Sequence, residues 1–251
     1  MVRLLVINPN ISESVTDLIA AEARRAAGEG TEMTMLTAPY GVAYIETRSE
    51  AAVAAVAVLE LIAEHDAEAD AVVIAAFGDP GLAAAREIAA VPVVGLSEAA
   101  FVTAAMLGRR FSIVAISARI AAWYRECVQF NGMEGRLAGI RTLTAPLADV
   151  GSVQQDNADR LLDLCLDAVD GDGADAIILA GAPLAGLGRR IADRVPVPLV
   201  DGVSSAVRQA ETLVRLGARA PEAGSFAPPP EKPQKGLSPA LAARIGRKPA
   251  D

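Results

Sequence analysis

The sequence predicts an α/β protein of two pseudosymmetric lobes, each a parallel four-stranded sheet flanked by helices. Two observations carry this reading. Short β-branched runs alternate with longer alanine-rich segments of helical period, the pattern of parallel strands joined by crossover helices. The pattern then occurs a second time. LTAP starts at Leu36 and Leu143, Ala-Asp-Ala at Ala69 and Ala174, and a proline opens the fourth strand at Pro92 and Pro198, offsets of 107, 105 and 106.

The elements follow in order. RLLVINP reads as a strand. SESVTDLIAAEARRAAGEG has Val15, Leu18, Ile19, Ala23 and Ala26 on one helical face and glycines to stop it. TEMTMLTAP alternates as a strand, SEAAVAAVAVLELIAEH is helical, AVVIAA is a strand, GLAAAREIAA a helix and VPVVGL a strand. SEAAFVTAAMLG closes the first series as a helix, with Ser97 as its N-cap. The second series reads RRFSIVAIS (strand), ARIAAWYRECVQFNG (helix), RLAGIRTLTAP (strand), SVQQDNADRLLDLCLDAVDG (helix), AIILAG (strand), PLAGLGRRIADRV (helix), VPLVDG (strand) and VSSAVRQAETLVRLG (helix). The expected division is 1–105 with 206–218 as the first lobe, 106–205 as the second, and 219–251 as a proline-rich tail.

Composition narrows the function. The 251 residues are 52% hydrophobic, enough for one large core or two small ones. A net charge of -8 leaves no basic footprint for nucleic acid. Two cysteines make no disulfide framework, and the N-terminal apolar run is too short for an export signal. Glu60 interrupts the longest apolar stretch, so it reads as a buried helix and not a membrane span. A cytoplasmic setting is expected. The sequence shows no metal-ligand cluster, Gly-rich phosphate loop, dinucleotide fingerprint or nucleophilic triad, so no cofactor is expected.

Sites in open α/β sheets lie beyond the carboxyl ends of the strands, and with two facing lobes that means the cleft between them. The repeat then pairs Asn10 with Ser117, Ala76 with Gly181, and the loop FGDPG with APLAG.

These loops carry a resemblance. INPN at 7–10, FGDPGL at 77–82, VPVVGLSEAA at 91–100, LAGAPLAGL at 179–187 and VPLVDGVSSAV at 197–207 resemble motifs of the Asp/Glu/hydantoin racemase superfamily, its hydantoin and allantoin racemase branch most closely. The resemblance covers roughly residues 1–215. It implies cofactor-independent racemisation at a carbon next to a carbonyl, a small carboxylate, hydantoin-like or carbonyl ligand, and a homo-oligomer. It also implies two cysteines, one per lobe, on opposite faces of the substrate. Their positions hold Ala76 and Gly181 here. A methyl group and a hydrogen shuttle no protons, and each lost acid-base group typically removes about 10²- to 10⁴-fold in rate.

Other groups must therefore carry any chemistry. Cys127 and Cys165 lie in helical patterns and read as buried structural cysteines. Asp79, in the strand-end turn, is the best charged candidate for an acid or base, although Asp-Pro-Gly is also ordinary turn chemistry. Tyr40, Glu46 and Arg48 lie in a loop beside the cleft. Glu46 is a second candidate base if it points inward, and a solvated loop face is the plainer alternative. Asn10 and Ser117 are candidates for substrate binding, with a turn role for the first and an N-cap role for the second. The backbones around Ala76, Phe77 and Gly78, and around Gly181, Ala182 and Pro183, lead into helix N-termini that favour a carboxylate, imide or enolate oxygen. His65 reads as a solvated histidine at a polar helix end.

Two function classes stay open. One is an enzyme of racemase fold whose reaction departs from two-cysteine racemisation: one-sided proton transfer, decarboxylation, lysis or hydrolysis. The other is a binding or regulatory protein that keeps the cleft. The tail holds no regular structure over 219–236. LSPALAARIG offers a short helix with Leu237, Leu241 and Ile245 on one side, to dock on the body or a neighbouring subunit, or to remain loose.

Overall fold

A computed structural model describes residues 1–144 and 150–245. The end of the second LTAP and the last residues of the tail lie outside the described residues. The first series is β1 (Val2–Asn8), α1 (Glu13–Ala26), β2 (Thr31–Thr37), α2 (Arg48–His65), β3 (Ala71–Ile74), α3 (Leu82–Ile88), β4 (Val93–Gly95) and α4 (Leu96–Leu107). The second is β5 (Phe111–Ala115), α5 (Ala121–Phe130), β6 (Leu137–Thr142), α6 (Val153–Asp156), α7 (Ala158–Asp172), β7 (Ala176–Ala180), α8 (Leu187–Ile191), β8 (Leu199–Asp201) and α9 (Gly202–Arg215); α10 (Pro239–Arg244) follows in the tail.

The two sheets have orders β2-β1-β3-β4 and β6-β5-β7-β8, and their strand pairs are all parallel. The duplication read from sequence spacing is therefore a duplication of topology. Strands β3, β5 and β7 are buried along their whole length. They carry helices on both faces, which is why they read as unbroken apolar runs.

The last helix of each series crosses to the other sheet. Ala100, Phe101 and Ala104 of α4 pack with Phe111, Ile113, Ala115, Ile178 and Val200 of the second sheet. Val203, Ala206, Val207 and Ala210 of α9 pack with Val6, Val73 and Val94 of the first. The expected lobe boundary near residue 105 thus falls at the end of a helix whose apolar face lies on the second sheet.

Three local expectations differ from what is seen. The helix expected over 152–171 is broken into α6 and α7 at Asn157. There the backbone leaves the helical region, while both the Asn157 N–H and Asn157 Nδ2 donate to the Val153 carbonyl. The helix expected over 183–195 shortens to α8, because Pro183 lies in a 3₁₀ turn and Gly186 caps α8 in the left-handed region. Ser97 is not the N-cap of α4. The helix starts directly after β4 at Leu96, and Asp79 supplies the capping oxygens from another loop.

The described part of the tail docks on the body. Leu241 is buried, and α10 lies along α2. Arg244 reaches the fully buried carboxylate of Asp66, which also accepts the Ala90 N–H at 2.7 Å. Leu237 stays exposed and does not join that contact. No described helix is long and apolar enough to cross a membrane.

Candidate active site

The carboxyl ends of β1, β3, β5 and β7 converge with the loop 39–47. At the end of β1, Asn8 is fully buried and spends its amide on Asn10 Oδ1 (3.1 Å), the Ser12 carbonyl (3.1 Å) and Thr16 Oγ1 (2.9 Å). Asn10 Oδ1 also accepts the Ser12 N–H at 2.9 Å. This leaves Asn10 Nδ2 without a partner among the described residues. The Ile11 N–H donates to the Val42 carbonyl at 3.1 Å and ties the loop 39–47 to this strand end.

Beyond β3 come Ala75, Ala76, Phe77 and a turn with three positive φ angles, Gly78 (+102°), Asp79 (+46°) and Gly81 (+79°). A Cβ at Gly78 would lie 2.3 Å from Trp123 Cζ2, so close approach and φ both demand glycine. The Phe77 ring belongs to the core, 5.6 Å from Phe101 and 4.7 Å from Tyr124 between ring centres. Asp79 accepts the N–H groups of Ser97 (2.8 Å) and Glu98 (2.9 Å), so its carboxyl group caps α4. Burial pushes its pKa up to about 7, against the lowering effect of those two donors.

The second lobe builds its matching loop differently. Gly181 has φ +109°. Ala182, Pro183 and Leu184 form a 3₁₀ turn held from beneath by Gln154, whose Nε2 donates to the carbonyls of Pro183 (2.8 Å) and Ala185 (2.9 Å). Asp201, the N-cap of α9, accepts the Gly186 and Ser204 N–H groups. Each lobe thus ties its strand-end loop to a crossing helix through a half-buried aspartate. In the first lobe that aspartate comes from the loop, and in the second from the helix start.

One symmetry survives in the backbone. The N–H groups of Phe77 and Ala182, each one residue beyond Ala76 and Gly181, have no hydrogen-bond partner among the described residues. The Gly78 N–H is spent on Ser97 Oγ.

Two of the candidates meet. Ser117 follows β5 and its hydroxyl donates to Glu46 Oε1 at 2.5 Å, while accepting the Arg119 N–H at 3.2 Å. Ser117 is therefore both a 3₁₀ N-cap and a partner of Glu46. A capping box fixes the loop behind Glu46. The Glu50 carboxylate accepts the N–H groups of Glu46 (2.8 Å) and Thr47 (2.9 Å), which holds its pKa below the usual range despite some burial. Arg48 pairs with Glu126 of α5.

The other sequence candidates point elsewhere. Tyr40 donates to Glu60 at 2.7 Å. His65 lies at the exposed end of α2, 3.9 Å from Glu64. Burial pushes the Cys127 and Cys165 thiols up to about 12, and Cys127 donates weakly to the Gly78 carbonyl, so neither is a ready thiolate. Among the described residues no group of three or more His, Cys, Asp or Glu side chains is arranged to hold a metal ion. Sequence reasoning missed Tyr44, whose hydroxyl is buried without a hydrogen-bond partner. The loop that carries it was visible, but Tyr40 offered the same side chain in a more turn-like setting.

Residues 4–210 match the family model described as Asp/Glu/Hydantoin racemase. The chain belongs to that family. This racemase-family chain is 36% identical to a hydantoin racemase of Paenarthrobacter aurescens over 232 residues, covering 92% of this chain and 98% of that one. It superposes on an allantoin racemase from Klebsiella pneumoniae with TM-score 0.91 and 37% identity, covering 96% and 99%. An allantoin racemase from Pseudomonas fluorescens follows at TM-score 0.87 and 34% identity, covering 93% and 100%.

Proposed function

We propose that this family member binds a small cyclic amide or carboxylate between its lobes and moves a proton at the carbon next to a carbonyl, with Glu46 as the base. The observation that carries this reading is the hydrogen bond between Glu46, from a first-lobe loop, and Ser117 at the end of a central strand of the second lobe. It brings a carboxylate to the strand ends, where a family member's ligand would lie. The similarity to hydantoin and allantoin racemases supports a hydantoin-type ring as ligand.

In this mechanism the C–H bond breaks and its proton passes to the Glu46 carboxylate. The electron pair moves onto the carbonyl oxygen, and the unpaired N–H groups of Phe77 and Ala182 stabilise that charge. Asn10 Nδ2 donates to a second ligand oxygen. With Ala76 and Gly181 offering no acid on the opposite face, Glu46 trades its proton for one from solvent and returns that one to the face the first had left. The product is hydrogen exchange with retained configuration and not racemisation. Asp79 is the other candidate base, but both its oxygens already accept backbone N–H groups.

The experiment is proton NMR in deuterium oxide with 5-substituted hydantoins, allantoin, aspartate and glutamate, each followed by polarimetry. Exchange of the α-proton with rotation retained is the expected result. Exchange with loss of rotation refutes the one-base scheme. No exchange with any of these compounds, from folded protein that binds them, turns the reading to a binding protein. The absence of a thiol at both 76 and 181 favours that second reading.

A further inference from the structure

Buried hydroxyls in folded proteins nearly always have a hydrogen-bond partner. The phenol oxygen of Tyr44 has none. The segment that carries it is held on both sides. The Val42 carbonyl takes the Ile11 N–H at the end of β1, and Glu46 takes the Ser117 hydroxyl at the end of β5. Tyr44 stands between these two ties, with its ring against the second-lobe cluster that contains Val114, Ile116 and Leu143. The segment therefore belongs to the same convergence of strand ends as the unpaired N–H groups of Phe77 and Ala182.

The charges around it restrict what it meets. Burial first, then the nearby carboxylates of Glu46 and Glu50, hold the phenol above its ordinary pKa, so it is a neutral donor. Those carboxylates repel an anionic oxygen. Arg48, in the same stretch of chain, is engaged by Glu126, and Arg119, which acts on Glu50, is an exposed side chain. By charge, a neutral donor beside two carboxylates suits an uncharged carbonyl oxygen better than a free carboxylate.

We infer that the Tyr44 hydroxyl anchors an uncharged carbonyl oxygen of the ligand and thereby selects amide-type ligands over free carboxylates. The inference rests on the ligand cleft proposed above, and it adds the residue that discriminates within it.

The test is Tyr44→Phe, read by thermal unfolding of the ligand-free protein and by calorimetric titration with 5-methylhydantoin and with aspartate at pH 7. Removing an unpartnered hydroxyl should leave Tm unchanged or raise it. Losing one donor to a carbonyl should weaken 5-methylhydantoin binding by about tenfold, with aspartate binding unchanged. A lower Tm without ligand would show a structural partner for the hydroxyl and overturn the inference. So would an unchanged affinity for 5-methylhydantoin, or an equal loss for both compounds. Those results leave the proposed cleft standing, whereas a wild-type protein that binds neither compound overturns both readings together.

Discussion

Placing cysteine at residues 76 and 181 should cost the protein very differently. Ala76 already has a Cβ and is not among the residues with positive φ. Ala76→Cys adds one sulfur atom and no backbone strain. Gly181 has φ +109°. Its added Cβ would meet only Pro183 Cδ, at 3.5 Å, an ordinary contact. The cost of Gly181→Cys is therefore almost wholly conformational, about 1–3 kcal/mol. The smaller entropy of the unfolded variant chain returns about 0.4–1 kcal/mol. The net expectation is a loss of about 1–2 kcal/mol for Gly181→Cys, and the same for Gly181→Ala, which carries the strain without the sulfur. Urea unfolding measures it: with a slope of about 3 kcal/mol per molar, the midpoint falls by about 0.3–0.7 M. Gly181→Ala as stable as the parent protein would refute the strain argument. It would mean the loop has an alternative conformation that accepts a side chain.

Glu46→Gln should lower α-proton exchange by about 10²- to 10⁴-fold, measured by NMR in deuterium oxide, while titration shows the ligand still bound. Arg244→Met leaves the buried Asp66 carboxylate with only the Ala90 N–H and should cost about 3–5 kcal/mol in urea unfolding; adding Asp66→Asn should recover part of that loss. Asp79 gives a pH signature. Its folded pKa of about 7 lies above the ordinary aspartate value of 3.8, so between these values the folded state binds more protons than the unfolded state. Its contribution is full below about pH 4 and is lost as pH rises towards 7. The unfolding midpoint of the parent should therefore fall relative to that of Asp79→Asn as pH rises across that range.

The sheets were legible because the central strands are covered on both faces. Runs such as AVVIAA and AIILAG cannot be amphipathic there, and the repeat fixed their order. The division expected from the sequence already gave 206–218, most of α9, to the first lobe, but the crossing of α4 was not legible. Phe101 declares that its helix buries a face, but nothing local says against which sheet. The cap on α4 was hidden for a related reason. Asp79 and Ser97 are neighbours only after folding, so the nearer serine looked like the cap. At the site, the pairing of Asn10 with Ser117 and Ala76 with Gly181 followed from the repeat alone. The contact between Glu46 and Ser117 joins an irregular loop of one lobe to the other lobe, and no periodicity encodes that. Tyr44 stayed hidden because an unpaired hydroxyl is defined by what surrounds it.

The crossing helices also decide how the molecule can move. The chain passes between sheets at Gly95–Leu96 and again at Asp201–Gly202, and both passages lie at helix starts held by aspartate oxygens. Each half carries a rigid rod of the other, as in a dimer that has traded its last helices and then been fused. Neither half can fold alone without baring the strip its borrowed rod covers. Any bending between the sheets would fall on these two passages, which lie next to the loops proposed above to hold the ligand, so a bound guest would press on the joints themselves.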